Sequence, residues 1–311
     1  MSTKVILDVD TGTDDAVALM LAALSPDLEL IGATTVVGNC PGVVCTENTL
    51  RVFDHIGVDV PVHQGMLEPM VRPDFDRPEE SVIHGRFLDL PIATSKAASE
   101  QAVDWLIDTY MASAGDITLV PVGPLSNVAM AIRQQPAILA KLPELVIMGG
   151  AHHIGNITSS AEFNIWVDPE AAKVVVNCGR PIRMVPLDTT HKALISLEDC
   201  RKLRQLGTPA ATAAAAFTER RIEGYNKYQP MSERDAAPVH DALAVCAVID
   251  PTVIQTEFIA VDVETKGELT DGRTVCDFGA RSGKTANVYF ALGVDLPKFK
   301  EMLFDILGRS A

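Results

Sequence analysis

Short apolar, β-branched runs alternate with helical stretches along most of this chain, and that alternation restricts the fold more than any other feature. KVILDV (4–9) reads as a buried strand, and DDAVALMLAALS (14–25) as a helix apolar over most of its surface. LELIGATTVV (28–37) is a second strand, closed by Gly38 and Asn39. TENTLRVFDHIG (46–57) is a helix ended by Gly57, and VPVHQG (60–65) a short strand. The pattern continues with a helix over 98–113, a strand over 116–123, a helix over 124–134 and a strand over 144–150. DPEAAKVVVNCG (168–179) is a helix with Asp168 as N-cap and Pro169 at its first position. A strand follows over 180–188, and SLEDCRKLRQLG (196–207) opens with a capping box from Ser196 to Asp199. Continuous apolar strands joined by helices pair in parallel and need cover on both faces. The fold class is therefore α/β: an open, mostly parallel Rossmann-like sheet with helices on both faces. Two further helices (208–228 and 239–250) and a strand-rich stretch over 257–290 form a C-terminal extension. With no linker or repeat, residues 1–311 read as a single domain.

At 311 residues with 47% hydrophobic content, the chain can bury a core large enough to hold a polar pocket. Its 26 basic and 41 acidic residues give a net charge of −15, which argues against nucleic acid or an anionic membrane as partner. Neutral nucleosides and sugars are compatible with that balance. No stretch of about twenty apolar residues is present, and MSTKVILDVD lacks the basic and apolar regions of a signal peptide. The six cysteines include no CxxC pair and no zinc-like spacing with histidine. Buried free thiols in a reducing cytoplasm are the expectation.

The chemistry concentrates where strands end, the place where open parallel sheets bind ligands. Asp8, Asp10, Asp14 and Asp15 fall within the eight residues DVDTGTDD, directly after one apolar run and before another. One aspartate there would cap a helix. Four would repel one another unless a hard cation sat among them; Ca²⁺ takes six to eight oxygen ligands and Mg²⁺ six. Asn39, Val122, Met148 and Asp188 lie at other strand ends. His240-Asp241, after Pro238 at a helix start, is either a cap or a distant ligand pair. Asn156, Glu162 and Asn164 offer amide and carboxylate groups suited to sugar hydroxyls, beside apolar Phe163, Ile165 and Trp166. The adjacent pair His152-His153 is a poor zinc site, because neighbouring residues face different ways.

Taken together, these motifs resemble the nucleoside hydrolase family, the calcium-dependent inosine–uridine-preferring N-ribohydrolases. DVDTGTDDA, TTVVGN, LVPVGPLSNVA, VIMGGAHHIGN, AEFNIWVDPEAA and VHDALAV match the family's motifs in order, over nearly the whole chain. The resemblance implies that Asp10, Asp15 and Asp241 bind Ca²⁺ together with the backbone carbonyl of Val122. It implies that Asp14, Asn39, Asn156, Glu162 and Asn164 hold the ribose, with Met148 lining the same pocket. Asp10 would accept the proton of the attacking water, and His240 would face the departing base and protonate it. His84, Tyr225 and Tyr228 fall where the family's mobile segments meet the base. It further implies cytoplasmic nucleoside salvage on inosine and uridine, by a homo-oligomer, tetramer or dimer. Two departures stand out: Thr11 occupies a frequent proline position, and VIHGRFLDL (82–90) keeps His84-Gly85 without the usual glycine-rich continuation.

Two other readings compete. DVDTG after a strand also resembles the first motif of haloacid-dehalogenase-type phosphohydrolases, with Asp8 as nucleophile, Asp10 as acid/base and Mg²⁺ as metal, but it leaves AEFN and VHD unused. A nucleoside- or sugar-binding protein without turnover is the non-enzymatic alternative, and the intact set of candidate base, metal ligands and His240 argues against it.

Overall fold

The computed structural model describes residues 2–72 and 83–310. Eleven strands order the described chain: β1 (Thr3–Val9), β2 (Leu28–Thr35), β3 (Val62–Gln64), β4 (Ile117–Pro121), β5 (Leu145–Met148), β6 (Ile182–Val185), β7 (Leu194–Ser196), β8 (Ala236–Pro238), β9 (Ile254–Val263), β10 (Thr274–Asp277) and β11 (Val288–Val294). The helices between and after them are α1 (Thr13–Leu24), α2 (Gly42–Ile56), α3 (Ala102–Ala112), α4 (Ser126–Gln134), α5 (Phe163–Val167), α6 (Pro169–Val176), α7 (Leu187–Thr190), α8 (Leu197–Leu206), α9 (Pro209–Tyr228), α10 (His240–Ile249) and α11 (Leu296–Leu307).

Nine strands form one sheet in the order β10-β9-β11-β6-β5-β4-β1-β2-β3, and β7 and β8 make a small antiparallel pair. Every pairing from β6 to β3 is parallel. The strand-rich stretch extends this same sheet. β11 pairs in parallel with β6, and β9 and β10 continue the same sheet antiparallel. The edge of β6 is covered by β11, and the β9–β10 hairpin that follows α10 adds beyond it.

Alternation along β1 assigns the two covering layers. Val5, Leu7 and Val9 face a core shared with α1, α2, α9, α10 and α11, while Ile6 faces the other, with residues of α3, α4 and α6. The predicted ends hold where the capping chemistry is strongest. Ser196 and Asp199 close their reciprocal box on α8, Asp168 caps α6, and left-handed Gly57 and Gly207 follow α2 and α8. The helix expected from residue 98 instead begins at Ala102.

From β1 the chain steps outward through β2 and β3, then crosses to β4 on the other flank. That reversal opens a crevice beyond the carboxyl ends of β1 and β4. Asp10 follows β1 and Val122 follows β4, so the topology alone brings them together.

Candidate active site

A cavity of about 300 Å³ fills this crevice. Asp10, Asp14, Asn39, His84, Val122, Met148, Asn156, Glu162, Asn164, Tyr225, Tyr228, His240 and Asp241 all line it. Of the residues that the family resemblance assigns to the site, Asp15 alone is not at its surface. It lies just beneath, within 4.8 Å of Asp14 and Asp241 measured between carboxylate oxygens.

Asp15 holds the turn after β1. Its Oδ1 accepts the Asp10 N–H at 3.1 Å, and its Oδ2 accepts the Gly12 N–H at 2.9 Å and Asn39 Nδ2 at 3.2 Å. Asp10 is aimed by the next strand end, where the Asn39 N–H donates to its Oδ2 at 2.7 Å. Glycine backbone closes the remaining space: a Cβ at Gly38 would sit 2.1 Å from Asp10 Oδ2, and one at Gly123 2.9 Å from Asp10 Oδ1. Burial and mutual repulsion push Asp10 and Asp241 well above the usual carboxylate range and Asp15 up to about 6. A cation removes that repulsion. The donors on offer are carboxylate and carbonyl oxygens without sulfur, a set that suits Ca²⁺ or Mg²⁺. Among the described residues, no His/Cys cluster with metal-binding geometry accompanies them. His153 is instead paired with Asp188, which also accepts the His152 N–H at 2.7 Å.

Asp8 is not at the cavity surface. It is fully buried, and its Oδ1 accepts Thr34 Oγ1 at 2.6 Å and Asn127 Nδ2 at 2.7 Å, tying β1 to β2 and α4. A nucleophile must reach its substrate, so the phosphohydrolase reading fails here.

Three of the sugar-side groups, Asn156, Glu162 and Asn164, come from one segment. Glu162 caps α5, with Oε1 accepting the Asn164 N–H at 3.0 Å and Oε2 accepting those of Gly150 and Ile165 at 3.0 and 3.2 Å. Left-handed Gly150 (φ 81°) turns its N–H toward that carboxylate. Burial outweighs these bonds and raises Glu162 to about 7. Asn164 Nδ2 donates to the Val122 carbonyl at 2.7 Å. Asn156 braces the loop, its Oδ1 accepting the Phe163 N–H at 2.8 Å.

At the far end, His240 Nδ1 lies 2.7 Å from Thr190 Oγ1, and Nε2 lies 2.7 Å from the Tyr225 hydroxyl. Burial, with the Arg221 charge nearby, holds the His240 pKa well below the ordinary value. It sits in the fold as a neutral ring. His84 plays a part the sequence did not disclose. Its Nδ1 accepts the Thr13 N–H at 3.1 Å, satisfying a first-turn donor of α1, and burial lowers it to about 4. The loop opening at Val82 is described from Ile83 onward.

Sequence reasoning missed Arg221. This side chain is 2% exposed, and its Nη1 pairs with Asp14 Oδ1 at 2.7 Å. Its spacing carried a signal: Arg221, Tyr225 and Tyr228 share one face of α9 at i, i+4 and i+7. Gln229 was missed too; its Nε2 donates to the Asn156 carbonyl at 2.9 Å and joins α9 to the sugar loop.

An α/β crevice lined by buried carboxylates, amides and a neutral histidine–tyrosine pair is the site of a hydrolase acting on a polyhydroxylated, uncharged substrate. The chain belongs to the inosine-uridine preferring nucleoside hydrolase family, whose model matches residues 5–301. It is 41% identical over 300 residues, 95% of this chain and 94% of the relative, to the pyrimidine-specific ribonucleoside hydrolase RihB of Shigella flexneri serotype 5b. The purine-preferring ribonucleoside hydrolase from Gardnerella vaginalis superposes with a TM-score of 0.91 at 32% identity, covering 98% of each chain. The plant nucleoside hydrolase PpNRh1 gives 0.92 at 28% identity and 99% of each chain. The protein is thus a hydrolase of the N-glycosidic bond of ribonucleosides. No helix among the described residues is long and apolar enough to cross a membrane, and all six cysteines are free.

Proposed function

We propose that the enzyme hydrolyses uridine and inosine to free base and ribose in a calcium-dependent reaction, with uridine the faster substrate. The observation that carries the chemistry is Asp10: a buried carboxylate oriented by the Asn39 N–H and crowded by Asp15, in a cavity that Val122 also lines. Asp10, Asp15, Asp241 and the Val122 carbonyl would hold Ca²⁺. When bound, the ion supplies a template for ribose hydroxyls and lowers the pKa of the attacking water.

The chain's own residues do the rest. Asp14, Asn39, Asn156, Glu162 and Asn164 hold the sugar hydroxyls. Their carboxylates also face the positive charge that grows on the ribose as the bond to the base stretches. Met148 lines the same pocket. Asp10 takes one proton from the water whose oxygen adds to the anomeric carbon. The departing base gains its proton at the opposite end, where the Tyr225 hydroxyl and His240 Nε2 form a donor pair anchored by Thr190. The imidazole takes a proton from solvent, passes it through the Tyr225 hydroxyl to the departing base, and returns to its neutral form.

Uridine ahead of inosine rests on two supports. The cavity lies at the small end of the roughly 300–1,000 Å³ usual for ligand pockets, and the 41% identical relative is pyrimidine-specific. The base-side wall of Tyr225, Tyr228 and Gln229 offers edges that can hydrogen-bond a pyrimidine and rings that can stack on a purine. The role is cytoplasmic nucleoside salvage by a homo-oligomer, tetramer or dimer.

The test is reducing-sugar release from uridine, cytidine, inosine, adenosine and guanosine, before and after chelation and with calcium added back. Ribose release that chelation abolishes and Ca²⁺ restores, fastest on uridine, is the expected result. Release that survives chelation sinks the calcium dependence, and inosine outpacing uridine sinks the base preference.

A further inference from the structure

The carboxylates with oxygens within 4.8 Å of one another are Asp14, Asp15 and Asp241. The function proposed above uses Asp14 differently, as a sugar ligand, while Asp10 joins Asp15 and Asp241 on the cation. Proximity alone would give Asp14 to the ion as well. Arg221 stands against that outcome. Its Nη1 lies 2.7 Å from Asp14 Oδ1 and 3.2 Å from Thr13 Oγ1, and its Nε donates to the Pro238 carbonyl at 2.9 Å. Its Cζ lies 5.6 Å from the centre of the Tyr225 ring. The guanidinium is thus tied to the start of α1, the strand before α10 and the base-side wall together. An arginine does not shed its proton inside a protein, so this positive charge is permanent.

We propose that Arg221 is a positioning residue that withholds Asp14 from the cation and keeps it aimed at the sugar. The inference rests on the calcium-dependent ribonucleoside reading. Drawing Asp14 onto a divalent ion would break its pair with Arg221 and bring the ion toward an unscreened guanidinium in a site with little water. Both changes are unfavourable, so Asp14 stays with the arginine and presents its remaining lone pairs to the substrate. The charge count agrees. With Glu162 ionised, Asp10, Asp14, Asp15, Asp241 and Glu162 bring five negative charges, and a divalent ion with Arg221 brings three positive, leaving two negative charges to meet the sugar cation.

The experiment is calcium titration calorimetry on metal-free wild type, Arg221→Lys, Arg221→Gln and the charge-balanced double variant Arg221→Gln/Asp14→Asn, with uridine kinetics on each. Freed of its partner, Asp14 should join the ion in Arg221→Gln, so calcium binds about tenfold tighter. KM for uridine should rise by about tenfold or more while kcat falls less, since a sugar contact has been diverted. Arg221→Lys, which keeps the charge, and the double variant, which removes both charges, should each bind calcium within about threefold of wild type. Calcium affinity unchanged or weakened in Arg221→Gln overturns the proposal, as does a loss beyond about tenfold in the double variant. A second measurement avoids the buried arginine. Terbium luminescence lifetimes count the waters on the bound ion, and wild type and Asp14→Asn should give the same count. An extra water in Asp14→Asn shows that Asp14 was a ligand after all and refutes the idea. No calcium uptake by wild type removes the calcium reading itself, and this inference with it.

Discussion

The floor of the pocket and its base-side wall are built by opposite means. The floor consists of strand ends and first helical turns belonging to one sheet, and its acidic groups Asp10, Asp15 and Asp241 are at most 3% exposed. Backbone amides fix Asp10, Asp15 and Glu162 before any ligand arrives. The wall is the last turns of α9 and the segment from Ile83, where Tyr228 is 49% exposed and one hydrogen bond, Gln229 to Asn156, joins helix to loop. Bond cleavage needs charges that do not reorganise as the transition state forms. Base selection needs surfaces that can adapt, so the wall is less firmly held.

If that division is right, damage to the floor is indifferent to the base and damage to the wall is not. The largest effect should come from Asp10→Asn. A loss of about 10⁴-fold or more in kcat is expected for removing the proton acceptor and a cation ligand together. Measured on uridine, cytidine and inosine, the loss should be equal, and a strongly base-dependent loss would break the comparison. Next comes His240→Ala, at the boundary. It should cost about 10²–10³-fold in kcat, unequally among bases, because leaving groups differ in their need for a proton. Equal losses across the panel would reassign His240 to the floor.

The third prediction concerns protons. Without a cation, burial raises Asp15 to about 6 and Asp8 and Glu162 to about 7, so the folded metal-free protein holds protons that the unfolded chain has released. Folded-state pKa values above unfolded ones make stability fall as pH rises through the folded values. The depressed histidines act in the opposite sense, because the unfolded chain keeps protons on them that the fold has shed, and that opposition has faded by about pH 7.5. Thermal unfolding of chelated protein should therefore show stability dropping from about pH 7.5 to 8.5, by up to on the order of 1 kcal/mol per pH unit for each proton the fold still holds. Calcium should reduce the slope and bind more tightly over the same range, because it displaces the protons of Asp10, Asp15 and Asp241 but not that of Asp8. A flat profile in chelated protein would mean the floor is not held protonated. The smallest effect is Tyr228→Ala, an exposed wall residue. KM should change about two- to tenfold, with opposite ranking for uridine and inosine and kcat nearly constant.

The same division explains what could be read from the sequence. Strand ends follow from the alternation of apolar runs, and the crevice follows from open parallel topology, so Asp10, Asn39, Val122 and Met148 were placed before any coordinates. Caps with a side-chain signature, Ser196-Asp199 and Asp168-Pro169, were legible for the same local reason. Arg221 was not, because its partner Asp14 lies more than 200 residues away and an arginine on an alanine-rich helix reads as solvated surface. His84 was marked as a base contact, while its bond to the α1 N-terminus depends on a loop path with no period to read. The hairpin of β9 and β10 looked like an extension because local pattern does not say which edge a strand will join.

The glycines pressed against Asp10 have a consequence for redesign. With Gly38 on one carboxylate oxygen and Gly123 on the other, no replacement at either position leaves room for the carboxylate. Libraries that randomise the strand ends will therefore return mostly dead clones, whatever substrate is sought. Variants with altered appetite have to come from α9 and the segment after Val82, a short stretch of sequence over which the reaction can be kept while its clientele is changed.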